Sequence, residues 1–312
     1  MVTPYNYNHS GMADRLARAS PRDAKPFTLV PPAVVVAPRS MRRREHTTFP
    51  QIASAWVGAL LVLWPLAAHA YRPFDGTDAD VASFGDFELE LGPVHYYSQA
   101  DARYLIAPAT VLNLGFAPSW EAVVDFQNFV GLQPLPGQAR DRLLDTDVFA
   151  KTVLVRGSLQ DAGPWPSIAA EFGPLLPNIN DESGFGASCN IIVSARTDAL
   201  TVHANSWLEL TRGDLHVDWF EGFILEGPFD AKVRPVGEFF VEHEWVANVT
   251  TLSGLLGGIW RTADALDLDA GVREARVGGQ WATEVRAGLT WTLGLWRATQ
   301  PRTDARLKGA RN

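Results

Sequence analysis

Hydrophobic and polar residues alternate with a period of two along most of the chain after residue 70. In the run from 284 to 294, Val285, Leu289 and Leu293 fall on one face of a strand, and mainly polar or small residues fall on the other. Successive side chains of a β-strand point to opposite sides, so this pattern indicates strands with two different faces. No helical stripe is sustained there, and only residues 139–144 favour a helical turn. The pattern predicts an all-β protein.

Twelve such stretches follow one another, and their connections differ in length. The turns expected after the second, fourth and sixth strands are short, whereas residues 132–146 and 177–183 form longer polar loops. An even strand number with this contrast is typical of a single antiparallel up-and-down transmembrane β-barrel of about twelve strands. The predicted strands are 84–97, 103–116, 119–130, 147–160, 165–176, 184–197, 199–212, 215–227, 233–245, 250–261, 265–276 and 281–296.

Alternation alone does not separate a barrel in lipid from a β-protein in water, since both give it. Lysine is common at the edges and on the surfaces of soluble sheets. After residue 70, however, it occurs only as Lys151, Lys232 and Lys308. Tryptophans concentrate near strand ends, as an interfacial girdle requires. We favour the membrane barrel. The alternative is a soluble periplasmic all-β protein, a sandwich or propeller-like fold, that binds a ligand or partner. The strand-end tryptophans are Trp120, Trp165, Trp245, Trp260, Trp281 and Trp296.

The first seventy residues predict a targeting segment rather than part of the fold. Arg42, Arg43 and Arg44 precede an apolar run, which ends at Ala68-His69-Ala70, a small-x-small cleavage site. We therefore assign residues 41–70 to a signal peptide cleaved near Ala70, and expect the bacterial outer membrane as destination. Residues 1–40 are an unstructured extension or a start assigned too early, residues 71–296 the barrel, and residues 297–312 a basic C-terminal tail.

Charge narrows the range of partners. The chain has 27 Lys+Arg and 35 Asp+Glu; residues 1–70 hold eight basic and three acidic residues, so the remainder carries 19 − 32 = −13. An acidic protein binds negatively charged phosphate backbones poorly, which excludes nucleic acid as a partner. The expected partners are outer-membrane lipid, an unidentified small solute, and the barrel-insertion machinery during biogenesis.

No cofactor and no metal are expected. Cys189 is the one cysteine, and the histidines are isolated rather than spaced as a ligand set. Asp75, Asp78 and Asp80 lack the rest of a calcium-loop motif and are expected in a solvated periplasmic N-terminus.

If the polar strand faces point inward, they line the lumen with charge. A twelve-stranded barrel is narrow, so opposite charges either pair and plug the interior or leave a thin polar path. Surplus carboxylates on such a path favour cations or hydroxylated solutes, and Glu238, Glu242 and Glu244 are the best candidates for it. The expected function is a passive channel, transporter or binder of a small solute with an acidic polar lumen. The candidate lumen-lining residues are Glu88, Glu90, Asp125, Arg156, His203, Asn205, Glu209, Arg234, Glu238, Glu242, Glu244, Asp269, Arg273, Glu284 and Arg286.

A hydrolase on the barrel wall is disfavoured. Residues 201–206 contain His203, Asn205 and Ser206, the residue types of a nucleophilic site, but His203 and Ser206 lie on opposite strand faces. The chain also lacks a G-x-S-x-G elbow. We predict that the protein is not an enzyme and assign no catalytic residues.

Five stretches of the chain carry a family resemblance: RPFDGTDAD at 72–80, residues 85–92, 226–228 and 234–238, and the closing EVRAGLTW at 284–291. They resemble a large group of bacterial outer-membrane β-barrels described as transporter-like or as proteins of the "MetA pathway of phenol degradation". The resemblance implies a barrel of roughly twelve strands with a transport role, while the biochemical function of the group is itself poorly defined. One departure is the C-terminus: such barrels stop on an aromatic residue near the position of Leu293, whereas this chain continues through Trp296 into a basic tail.

Overall fold

The computed structural model describes residues 72–134 and 139–295, which form twelve strands and one short 3₁₀ helix. The predicted signal peptide, the extension before it, Trp296 and the basic tail lie outside the described residues. The strands are β1 (Asp86–Gln99), β2 (Ala102–Ala117), β3 (Trp120–Gly131), β4 (Asp141–Val155), β5 (Ser167–Leu175), β6 (Gly186–Arg196), β7 (Thr201–Leu210), β8 (Val217–Glu226), β9 (Val233–Glu244), β10 (Val249–Ala263), β11 (Leu266–Val277) and β12 (Gln280–Gly294), and the helix is Ser158–Gln160.

Each strand pairs antiparallel with its neighbours in chain order, and β12 pairs with β1 to close the sheet. Leu293, for example, lies opposite Phe87 on β1. Closure satisfies the backbone groups that an edge strand would leave exposed. The prediction of an all-β, single antiparallel up-and-down barrel of twelve strands is confirmed.

The fourth strand differs from its prediction. It begins at Asp141 rather than 147, so the helical turn expected at 139–144 is wrong: Leu143 pairs with Asn128 on β3. The physical reason is an irregularity at Asp145, which has a positive φ of 49° where the β3–β4 register shifts. A bulge inserts an extra residue and breaks the period of two on which the prediction depended.

The barrel has two distinct ends. The terminal end carries the start of β1, the end of β12 and the connections after the even-numbered strands; the loop end carries those after the odd-numbered strands. The predicted contrast in length holds in part, since residues 118–119 join β2 to β3, whereas residues 156–166 join β4 to β5. On the loop end, residues 132–140 and 176–185 are long, and residues 100–101 and 278–279 are tight turns.

The outer surface is largely apolar between the two ends. Phe223, Leu256 and Val272 point outward and are exposed, while their strand neighbours face the interior. Trp120, Trp165 and Trp260 lie toward the terminal end, and Trp245 and Trp281 toward the loop end, all of them exposed. The outside of the barrel therefore carries an apolar belt between aromatic ends. In residues 72–134 and 139–295, no helix has the length and hydrophobicity needed to cross a membrane.

Apolar side chains pack together inside the barrel. One cluster of buried apolar side chains comes from β2 to β9, and a second joins Phe74, ahead of β1, to residues of β8, β9 and β10. The first cluster consists of Val111, Val123, Phe149, Leu175, Trp207, Phe220 and Phe240.

Candidate functional site

Residues 72–82, here called the luminal segment, lie inside the barrel. Every residue from 72 to 79 is buried, including Asp75 and Asp78, and Asp80 is half-buried. The expectation of a solvated N-terminus at these aspartates is wrong. Inward-facing cations of the barrel wall compensate these aspartates. An alternation of period two predicts strands only, so it could not place an irregular segment beside those cations.

The wall satisfies the backbone of the luminal segment. The amides of Asp75 and Gly76 donate to the two carboxylate oxygens of Glu238, over 2.8 and 2.7 Å. Asn205 makes a two-way contact with Thr77, accepting from its amide at 3.1 Å and donating to its carbonyl at 2.9 Å. A buried segment outside the sheet must find such partners for its peptide groups. Glu238 and Asn205 supply them from β9 and β7.

The contacts continue toward the terminal end of the barrel. The Ala79 amide donates to Ser194 Oγ at 2.9 Å, and the Ala82 amide donates to a carboxylate oxygen of Glu121 at 2.6 Å. Gln160, in the 3₁₀ helix, donates to the Ala79 carbonyl at 2.9 Å. The segment thus crosses the interior from the β9 wall to the β3 wall.

Buried ion pairs hold the side chains of the segment. Arg286 Nη2 lies 2.7 Å from Asp75, its Nε lies 2.8 Å from Glu284, and its Nη1 donates to the Pro73 carbonyl at 2.8 Å. Arg273 Nη2 lies 2.7 Å from Glu284. On the opposite wall, Lys151 Nζ lies 3.2 Å from Asp78. Charges this deeply buried are tolerated only with such compensation.

Two glycines make room for Arg72. A Cβ atom at Gly92 would lie 2.6 Å from Arg72 Nη2, and one at Gly288 would lie 2.3 Å from Arg72 Nε. Between these strands the guanidinium donates to His95 Nε2 and faces Asp269 at 3.4 Å. The lack of side chains at Gly92 on β1 and Gly288 on β12 therefore leaves the space that Arg72 occupies.

The structure places all the predicted lumen-lining residues except Arg156 at buried, inward-facing strand positions. Arg156 is exposed and follows Val155, where β4 ends earlier than predicted, so its placement in the lumen was wrong. Glu238 is bound to the luminal segment. A role for the others along a solute path remains a prediction. The buried positions are Glu88, Glu90, Asp125, His203, Asn205, Glu209, Arg234, Glu238, Glu242, Glu244, Asp269, Arg273, Glu284 and Arg286.

Sequence reasoning missed the residues of the luminal segment and two of their anchors, Lys151 and Ser194. The one available signal was the stretch 72–80, which carries the family resemblance but has no strand pattern.

His203 binds Ser194 rather than Ser206. Its Nδ1 lies 2.7 Å from Ser194 Oγ and its Nε2 lies 3.1 Å from Glu226, while Ser206 points outward and donates to Glu221. This order of groups resembles a nucleophile–base–acid relay. Ser194 Oγ, however, is buried and accepts the Ala79 amide, so here the chain of hydrogen bonds anchors the luminal segment. The absence of enzymatic activity stays a prediction.

The loop end of the interior is acidic. Glu209, Asp218 and Glu244 lie directly opposite one another on β7, β8 and β9, and Glu242 faces the same space from β9. The nearby Arg212 is committed elsewhere, donating to the Leu176 carbonyl at 2.7 Å and to Asp147. Burial lowers the pKa of Arg212, but Asp147 and Asp145 raise it above its usual value overall. Over residues 72–134 and 139–295, no group of His, Cys, Asp or Glu side chains is arranged to hold a metal ion.

No protein-family model and no curated protein sequence matches the chain. Solved structures that match include the KdgM porin, at 12% identity over 66% of this chain and 98% of that one, with a TM-score of 0.42. The translocator domain of autotransporter NalP from Neisseria meningitidis matches at 13% identity over 68% and 90%, with a TM-score of 0.40. The anion-selective porin from Comamonas acidovorans matches at 8% identity over 67% and 100%, with a TM-score of 0.36.

Proposed function

We propose that the protein is an outer-membrane β-barrel that passively admits a small solute into an acidic lumen, and that its luminal segment restricts passage. The observation that carries this proposal is the division of the barrel into an apolar outside and a charged inside. Such a division suits lipid around the wall and a polar solute within it.

The outer belt favours the membrane over the soluble periplasmic alternative. A barrel in water would expose polar side chains at positions such as Phe223, Leu256 and Val272, which instead present apolar surface. Continuous apolar surface of this kind is costly in water and marks a membrane or protein contact. Tryptophans at both ends of the belt suit the two interfaces of a bilayer.

Surplus carboxylates at the loop end favour positively charged or hydroxylated solutes. Glu242 is buried beside the carboxylates of Glu244, Asp218 and Glu209. Rings of acidic side chains select cations in channels because they stabilise positive charge in a narrow space.

The first test of the proposal is heat-modifiable gel migration of the chain expressed from Met41 and recovered from the membrane fraction. A closed membrane barrel resists detergent when unboiled and shifts on boiling. A soluble periplasmic protein with no shift would contradict the membrane assignment and return attention to ligands of a soluble barrel.

The second test measures ion preference. We expect a barrel without residues 72–82 to show cation selectivity in a planar bilayer under a KCl gradient, and Glu242→Gln to reduce it. Glu274→Gln is the matched control, because Glu274 is exposed on the outer face of β11. If Glu242→Gln leaves the reversal potential of a conducting barrel unchanged, Glu242 does not line the path.

A further inference from the structure

One wall of the barrel carries a carboxyl group in the middle of its apolar outer belt. Glu221 lies at the centre of the ten-residue strand β8, between two buried neighbours, so its side chain points outward. Other ionisable residues of the outer face lie near strand ends: Arg103, His243 and Arg276 are each one residue from the loop end of their strand. An ionisable side chain that faces hydrocarbon is costly, and one that is kept there calls for a partner.

The barrel itself provides two hydrogen bonds to this carboxyl group. Glu221 Oε1 accepts from Ser206 Oγ at 2.5 Å and from Trp219 Nε1 at 3.2 Å, and both donors lie on the same outer face. Both bonds end on the one oxygen Oε1. Because hydrocarbon contains no water, the second oxygen, Oε2, has to be satisfied by protein. The outer belt at β7 and β8 therefore presents a polar group that lipid chains cannot accommodate.

The same part of the barrel is also its shortest wall. Strands β5, β6, β7 and β8 have 9, 11, 10 and 10 residues, whereas the other eight have 12 to 16. We call the outer face of these four adjacent strands the short wall. A tilted strand needs about 9–11 residues to cross a bilayer, so the short wall has no spare length. Association with another protein is one way in which a short spanning element avoids the mismatch with lipid.

A second copy of the chain is the partner that suits the short wall. Copies of one chain enter the membrane with the same end outward, so a two-fold axis along the membrane normal brings equal depths of two short walls together. Glu221 of one copy then meets Glu221 and Ser206 of the other. A neutral carboxylic acid has one O–H donor beside its acceptor oxygens, so two of them can bond reciprocally. Polar side chains bonded in this way hold membrane-spanning elements together.

We propose that the short wall is the contact face of a homodimer in the outer membrane, in which the two Glu221 carboxyl groups bond to each other at the two-fold axis. The contact covers outward apolar side chains beside this pair, including Leu208 and Phe223, which the single barrel leaves exposed. The dimer rests on the membrane placement in the proposed function, and it is independent of whether the lumen conducts.

Disulfide cross-linking in isolated outer membranes tests the contact face. The probe is Leu208→Cys in a Cys189→Ser chain, because Leu208 is an outward residue of β7 that is 56% exposed. The matched control is Leu256→Cys in the same chain, since Leu256 is 77% exposed on β10, outside the short wall. On oxidation with copper phenanthroline, we expect a product of twice the chain mass for Leu208→Cys and none for Leu256→Cys. Equal cross-linking at both positions, no cross-linking at Leu208→Cys, or a product with a different protein would overturn the homodimer.

Sedimentation equilibrium of the purified chain in detergent micelles tests the role of Glu221. Glu221→Leu should raise the dimer dissociation constant about tenfold, because hydrogen bonds between membrane-spanning elements are lost. Glu221→Gln should keep most of the affinity, since two amides also bond reciprocally. Glu274→Leu is the control, because Glu274 accepts from Thr283 on the outer face of β11, outside the short wall, and its loss should leave the constant unchanged. An unchanged constant in Glu221→Leu would show that the carboxyl pair does not form.

Heat-modifiable migration of each variant separates the dimer from the proposed function. Cys189 of the unaltered chain, exposed on the outer face of β6, replaces Leu208→Cys as the probe if that variant fails to shift. A barrel that shifts on boiling but stays monomeric and free of cross-links overturns the dimer alone. A chain that does not shift contradicts the membrane placement, and the dimer with it.

Discussion

At the scale of single residues, the interior depends on charges that have been removed from water and given fixed partners. Arg286 is the centre of this arrangement, since it contacts Asp75, Glu284 and the Pro73 carbonyl at once. A buried pair of this kind contributes little net stability against an apolar substitute, but removal of one partner leaves an uncompensated charge. Arg286 therefore becomes essential to the fold as long as Asp75 and Glu284 are present, because both would otherwise be buried without this counter-ion.

Arg286→Ala should destabilise the folded barrel by about 3–5 kcal/mol, because Asp75 and Glu284 lose a buried counter-ion. The measurement is the free energy of unfolding in urea after refolding into detergent or lipid. Arg276→Ala is the control: Arg276 is exposed on the outer face of β11, and its loss should change the free energy by no more than about 0.5 kcal/mol. Equal effects of the two substitutions on the free energy of unfolding would show that the buried contacts of Arg286 stabilise the fold no more than an exposed arginine does.

Gly288→Ala tests whether the space left by this glycine holds Arg72 in position. The added methyl group would lie 2.3 Å from Arg72 Nε, so the guanidinium must leave its place beside Asp269. We expect faster cleavage of residues 72–82 by added protease in the folded barrel. Gly254→Ala is the matched control, since its Cβ would meet only a backbone oxygen at 4.0 Å. Unchanged protection in Gly288→Ala would argue that Arg72 does not fix the segment.

At the scale of strands, the alternation of side chains was sufficient to predict the number of strands and most of their bounds. It failed at β4, where the bulge at Asp145 reverses which residues face inward. The inward carboxylates of β7, β8 and β9 were predictable, because a period of two assigns every second residue to one face. That Glu209, Asp218 and Glu244 stand in one row was not, since register between strands is set by turns and bulges rather than by any one strand.

Val285→Arg tests which face of β12 meets lipid. Val285 is exposed in the middle of the strand, and we expect an arginine there to cost about 2–4 kcal/mol of unfolding free energy in bilayers if it lies near the midplane. The control is Val246→Arg, because Val246 lies beyond β9 in a loop-end turn and should tolerate charge. Similar costs at both positions would contradict a lipid-facing belt on β12.

At the scale of the whole molecule, the barrel and its luminal segment form one structure. The segment occupies the interior between the walls at β3, β4, β7, β9 and β12: its amides donate to side chains of β3, β7 and β9, and its aspartates form ion pairs with cations of β4 and β12. The sequence offered no periodic signal for this, because an irregular segment is positioned by its partners, and those partners are brought together only when the sheet closes. The position of a polar segment ahead of the first strand therefore has to be interpreted together with the charged wall residues that will surround it.

The most direct measurement is planar-bilayer conductance of the mature chain, compared with a variant that lacks residues 72–82, both shown by heat-modifiable migration to be folded. We expect the complete chain to give no stable open state, or only rare brief openings, because the luminal segment crosses the interior and is held on both sides. The shortened barrel should give stable, cation-selective steps. Equal conductance of the two barrels, or a folded shortened barrel that remains closed, would contradict the account of a membrane barrel closed by its own luminal segment.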